Sequence, residues 1–179
     1  MSTKRKATFM IREDKQHHIE AHVGGFCFRI VRGRLELLVG RRRKERELFP
    51  GKWECGGGQV HRDESFQDAY RRQLFEEFGV EVLVASVFTT YEIIRPRKPK
   101  IPGVKFLAFV KNAEDEVVMN RREFCEWKWV TEAECRRLQM IPGVIADARA
   151  AFKVARDMAP KGTRVRRNRP TIGFQKPKA

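Results

Sequence analysis

One segment with a written start and stop constrains this chain more than any other feature. Ser65 is an N-cap residue, and Asp68 three positions on completes an acidic variant of the capping box. Gly79, directly after Phe78, supplies the left-handed residue on which helices commonly end. Between them lie about four turns of helix. With Gln73 set at zero and about 100° per residue, Phe66 falls near 20°, Tyr70 near 60° and Ala69 near −40°. Glu77 then falls near 40° and Glu76 near −60°, so a stripe that begins apolar continues as Gln73, Glu76 and Glu77. A solvated face does not normally extend an inward stripe. Two adjacent carboxylates there repel each other unless a cation lies between them, and a divalent metal is the economical one. Leu74, Phe75 and Phe78 are apolar on another side, which predicts a helix covered on both faces. Alone, Glu76 and Glu77 read as a surface pair, with Arg72 four residues before Glu76 as an ordinary ion-pair partner.

Spacing decides between these readings. Gly58, five residues, Glu64, seven residues, Arg72, and then Leu74, Glu76, Glu77, Gly79 and Val80 resemble the Nudix box, Gx5Ex7REUxEExGU with U aliphatic. Every fixed position but one agrees, and both aliphatic positions agree. Leu37-Leu38-Val39 with Arg41-Arg42, then Pro50-Gly51-Lys52-Trp53-Glu54, resembles the MutT-like lead-in to that box. The run Glu123-Phe124-Cys125-Glu126-Trp127-Lys128-Trp129-Val130 is similar to the family's late strand. The resemblance covers about residues 20 to 155. It implies an α/β/α sandwich with a mixed β-sheet, the Nudix fold, hydrolysing a nucleoside diphosphate-linked compound with Mg²⁺ or Mn²⁺. It implies that Glu76, Glu77 and the Gly57 carbonyl hold metal. A glutamate outside the box adds a further ligand or a base, with Glu123 the best positional match and Glu126 second. Glu64 and Arg72 are implied to tie loop to helix, with Gly58 opening the box. Arg41, Arg42, Arg43 and the Arg95 to Lys105 loop flank the box and are expected to grip phosphates.

The departing position is Gln73, where the family has Glu. An amide has nearly the same shape, but it accepts no proton at neutral pH and is a poorer ligand for a hard cation. General-base help is worth roughly 10²- to 10⁴-fold, so a site relying on this position loses about 3 to 5 kcal/mol. Three readings stay open. The base lies elsewhere, at Glu123, Glu126, Glu114 or Glu116; the domain is a weak or inactive hydrolase used for binding; or the glutamate was exchanged by design.

The rest of the chain reads as strands and helices without strict alternation. Strands are expected at about 19 to 31, Leu35 to Val39, Val80 to Tyr91, Val104 to Val110 and Trp127 to Val130, with a loop over Arg41 to Gly58. Helices are expected at about Thr131 to Gln139 and Gly143 to Met158. Trp127 and Trp129 share one face of a strand and read as core. His17, His18, His22 and His61 show no metal-ligand spacing, and the four cysteines show no CxxC, which favours reduced thiols.

Charge completes the reading. The chain of 179 residues carries +15. Residues 160–179 hold seven cations and no acid, and Lys4, Arg5 and Lys6 add three more. The domain organisation expected is therefore a basic extension at 1–18, one Nudix domain at 19–159 and a basic tail at 160–179. The partners expected are a nucleotide diphosphate-type small molecule and, through the tails, RNA. With no signal segment and no run of 18 apolar residues, a cytoplasmic location away from membranes is expected. Nothing in the sequence sets the oligomeric state. The alternative to the enzyme is a catalytically weak Nudix-fold module that binds RNA or a protein assembly.

Overall fold

A computed structural model describes residues 19–158; the basic segments 1–18 and 160–179, with residue 159, lie outside the described residues. The chain runs β1 (His22–Val31), β2 (Arg34–Arg42), β3 (Trp53–Glu54), β4 (Gly57–Gln59), α1 (Phe66–Phe78), β5 (Val82–Ile93), β6 (Ile101–Val110), β7 (Phe124–Val130), α2 (Glu132–Cys135) and α3 (Val144–Met158). Among the described residues the strands form one mixed sheet of seven, in the order β3-β2-β1-β6-β5, with β4 added to β1 and β7 to β2. Only β1 and β6 run parallel. No helix of the described residues is long and apolar enough to cross a membrane.

Alternation along β1 builds a core on each face of the sheet. Phe26 and Phe28 point to one face, where Ala148, Ala151, Phe152 and Ala155 of α3 cover them. Val23 and Cys27 point to the other, against Ala69, Tyr70, Leu74 and Phe78 of α1. The parallel pair is close: a Cβ on Gly25 would stand 2.3 Å from the Phe106 carbonyl oxygen. Trp127 and Trp129 pack against the α1-side core.

One edge of β1 is shared. β2 pairs with Phe28 to Val31, whereas β4 pairs with His22 to Gly24. The sheet forks between these two stretches, and the fork admits the Cys55–Gly57 turn. Gly56 and Gly57 take φ of +83° and +147°, backbone that side chains rarely allow.

Several expected elements change length. The expected loop Arg41 to Gly58 contains β3 and β4, because two- and three-residue strands carry too little pattern to read. β6 starts at Ile101 and β7 at Phe124, each three residues earlier than expected. α2 stops at Cys135, and Leu138 closes instead on the Cys135 carbonyl. The helix α1 is covered on one face only. Phe66 and Phe75 are exposed, while Leu74, Glu77 and Phe78 share the buried side with Tyr70.

Candidate active site

The helix α1 begins as its sequence dictates. The Ser65 hydroxyl accepts from the Asp68 N–H, and Gly79, at φ +67°, donates its N–H to the Phe75 carbonyl. Arg72 locks this helix onto the preceding loop. Its guanidinium donates to both Glu64 oxygens at 3.0 and 2.7 Å, to the Gln59 carbonyl at 3.0 Å and to Glu76 at 3.1 Å. Glu64 also accepts the His61 N–H at 2.6 Å. The Arg72 hydrogen bonds hold the Glu64 carboxyl down at about 2.

Glu77 enters the fork. It is 5% exposed, and its Oε2 accepts the Gly57 N–H at 3.0 Å. Burial, then the charges of Glu54 and Glu123, push its carboxyl well above the usual range. Gly56 leaves no room beside it: a Cβ there would lie 2.7 Å from Glu77 Oε2. Glu123 is brought to this place by the segment that closes the helix. Val118 and Asn120 donate their N–H groups to the carbonyls of Phe78 and Glu77, and Glu123 donates to the Asn120 carbonyl.

Two arginines answer the three acids. Arg42 meets Glu54 at 2.6 Å, and Arg46 meets Glu123 at 3.3 Å. Glu54 is nonetheless raised, because burial outweighs Arg42. With three carboxylates against two guanidinium groups, the cluster keeps a surplus of one negative charge when fully ionised. Among the described residues no three acids stand close enough together to hold a metal ion as placed; what Glu77 presents is a hard oxygen donor beside a glycine turn, the donor type that divalent cations take.

Glu76 is placed differently. It is exposed on α1 and bound to Arg72, one helical step outside the buried cluster. The Gln73 side chain lies flat against Gly58, where a Cβ would stand 2.3 Å from its amide carbon. Among the expected phosphate-gripping residues, Arg42 is turned inward to Glu54 and to the Leu48 carbonyl. Arg41 reaches the Gly51 carbonyl and Glu126, and Arg43 reaches Glu45 and the Arg121 carbonyl. Arg95 pairs with Glu20. Lys105 belongs to strand β6 rather than to a loop, and it pairs with Asp147 of α3, 5.0 Å from the Tyr91 ring centre. Arg95 and Lys105 therefore stand with partners outside the Glu77 cluster. Glu126 lies in β7 and pairs with Lys128 at 2.7 Å, while Glu114 and Glu116 sit on the exposed β6–β7 connection.

The residue that sequence reasoning missed is Glu54. Its only signal was its place in the Trp53-Glu54 lead-in, three residues before Gly57. Its role depends on the turn that folds β3 back toward α1, which the sequence pattern does not display.

Comparisons with known proteins agree with this frame. A family model described as "NUDIX domain" matches residues 20–150. The nucleoside triphosphatase NudI of Escherichia coli is 32% identical over 94 residues, or 48% of this chain and 66% of that protein. The match thus spans just under two thirds of that relative. An Ap4A hydrolase of C. elegans in a binary complex superposes with a TM-score of 0.64 at 19% identity, over 78% of this chain and 99% of that one. The Nudix hydrolase RenU of M. smegmatis gives 0.64 at 20% identity, over 78% and 87%. The NUDIX domain of Shewanella oneidensis NrtR, complexed with ADP ribose, gives 0.59 at 18% identity, over 80% and 94%. At these identities the three structures speak for the fold.

Proposed function

The chain belongs to the NUDIX domain family, and on that premise we propose that it is a pyrophosphohydrolase of nucleoside diphosphate-linked substrates, a nucleoside triphosphate or a related nucleotide. The observation that carries this reading is the buried Glu77 carboxylate, faced by Glu54 and Glu123 and answered by too few cations. The named compounds of the relatives support the substrate class: a nucleoside triphosphate, Ap4A and ADP ribose are all nucleotides with phosphoanhydride bonds.

The donor chemistry, carboxylate and carbonyl oxygen, suits Mg²⁺ or Mn²⁺, although the acids as placed do not converge on one point. Glu77, Glu123 and the Gly57 carbonyl would hold the ion, with Glu76 joining when it leaves Arg72. When bound, such an ion neutralises diphosphate oxygens and acidifies the attacking water. The protein's own part is positional and protolytic. The Arg72–Glu64 fork keeps α1 at a set distance from β4, so that Glu77 and the Gly57 turn present one constellation. Gln73 takes no proton from water, so that task falls to a carboxylate of the cluster. Glu54 qualifies by position, since it faces Glu77, and burial raises its carboxyl above the ordinary value, which strengthens it as a base. Arg41 and Arg43 would meet phosphate by exchanging their exposed partners Glu126 and Glu45 for it.

Phosphate release from a nucleotide panel, with pyrophosphatase added and with Mg²⁺ or Mn²⁺, tests the reading. Turnover by the chain itself supports it. Turnover only after Gln73→Glu marks the amide as the lesion, and no turnover by either protein refutes hydrolysis.

A further inference from the structure

The end of β1 that carries the Gly57 turn is braced from the face of the sheet that α3 covers. His22, Gly103 and Tyr91 lie in one row across β1, β6 and β5. The middle strand offers only a glycine there, and the Tyr91 ring lies across it: a Cβ on Gly103 would stand 2.5 Å from Tyr91 Cζ. The ring thus spans a whole strand, and its hydroxyl donates to His22 Nδ1, with the two rings edge to face at 5.9 Å between centres. Burial lowers the His22 imidazole to about 4 against the charge of Glu20, so the ring is neutral near pH 7 and Nδ1 is able to accept. Burial, with the charge of Glu54, raises the Tyr91 hydroxyl, which therefore keeps the proton it donates. Lys105, tied to Asp147 of α3, stands 5.0 Å from the centre of the Tyr91 ring.

The same hydroxyl reaches the stretch against which the turn packs. His22 to Gly24 pair with Gln59 to Gly57 of β4, and among the described residues β4 pairs with no other strand. A Cβ on Gly24 would lie 3.3 Å from the Tyr91 hydroxyl oxygen and 3.4 Å from the Gly56 carbonyl oxygen, so both crowd the side of β1 that Gly24 leaves bare. The turn itself approaches as closely, since a Cβ on Gly57 would lie 2.7 Å from Gly24 Cα. We propose that Tyr91 is a positioning residue for this turn: its hydrogen bond to His22 holds the Gly24 stretch of β1 in place, and so keeps the Gly57 backbone where Glu77 meets it. A phenylalanine would fill the same volume, so the hydroxyl adds the His22 bond and little else. The bracing is a property of the fold, and its effect on turnover rests on the hydrolase reading.

The test is amide hydrogen exchange, followed by NMR on the metal-free full chain, for the parent, Tyr91→Phe, His22→Leu and their double variant. The Gly57 N–H, bonded to Glu77, reports on the turn. Each single variant is expected to speed its exchange about tenfold, the worth of one hydrogen bond, and the double variant no more than either. His22→Asn keeps an acceptor oxygen near the Nδ1 position and is expected to restore most of the protection lost in His22→Leu. Melting temperatures should stay within about 4 °C of the parent, and the Leu74 and Phe152 amides should exchange as before. With nucleotide and Mg²⁺, Tyr91→Phe should lower kcat about tenfold and leave KM within about twofold. Unchanged Gly57 exchange in Tyr91→Phe would overturn the proposal, as would a parent kcat with the change confined to KM, the mark of a side chain that only touches substrate. Faster Gly57 exchange in a chain whose parent turns over no nucleotide would uphold the brace and refute hydrolysis instead.

Discussion

Replacing Arg72 by lysine separates charge from geometry at the joint between loop and helix. The guanidinium makes four bonds there, two to Glu64, one to Gln59 and one to Glu76. An ammonium is a compact charge on a flexible stem and cannot span both Glu64 oxygens and the Gln59 carbonyl together. Hydrogen bonds to charged groups contribute about 1.5 to 3 kcal/mol each. Lysine keeps the attraction to Glu64 but loses one or two of the remaining bonds, so the expected loss is about 2 kcal/mol. For a chain of this size that lowers the melting temperature by about 4 to 8 °C. Turnover should fall further than stability explains, since a shift of about 1 Å at the Glu77–Gly57 constellation costs roughly 10²-fold. The deficit should also depend on pH. Arg72 holds Glu64 at about 2, below its ordinary 4.5, so the pair's stabilisation is complete above 4.5 and fades as pH falls toward 2. Denaturant melts of both proteins at pH 7 and pH 3.5, paired with turnover at pH 7, measure all of this. A lysine variant as stable and as active as its parent would refute the argument from the fork.

Glu54→Gln is expected to lower turnover by 10² or more while the fold and its melting temperature stay close to those of the parent, because the Arg42 contact survives with an amide oxygen; steady-state kinetics check it. In metal-free protein, burial raises the Glu77 carboxyl well above its unfolded value, so its contribution to stability is present below pH 4.5 and is lost as pH rises. His22, lowered to about 4 by burial, acts oppositely between pH 6.5 and 4, and the Glu77 effect is therefore read above 6.5. The melting temperature of metal-free protein should fall as pH rises above 6.5, and Glu77→Gln should flatten that fall; an unchanged slope in the variant would contradict the burial argument.

Local signals carried much of this structure. Ser65 and Gly79 bound α1 to within a residue, and the Glu64–Arg72 tie was implied by the resemblance to the Nudix box, whose positions all lie within one short segment. The stripe angles were sound for Tyr70 and Glu77. They misplaced Phe66 and Phe75, since a helical wheel shows which residues share a side but not where the sheet ends beneath them. Two features of the site were not legible for a different reason. The fork in β1 depends on which strand takes each half of one edge, a non-local choice. Glu54 and Glu123 are 69 positions apart and meet only because β3 and the segment after β6 both return to α1. Lys105, expected to grip phosphate from the end of the Arg95 to Lys105 loop yet also inside the expected strand Val104 to Val110, is carried by β6 to Asp147.

In the proposed mechanism Glu77 anchors the cation on which hydrolysis depends. The most direct measurement is the Mg²⁺ dependence of turnover on the best nucleotide, for the parent and for Glu77→Gln, with melting curves as the control on folding. Turnover is expected to saturate with Mg²⁺, to vanish with chelator and to fall at least 10²-fold in the folded variant. Equal turnover and equal Mg²⁺ dependence in the two proteins would contradict that mechanism.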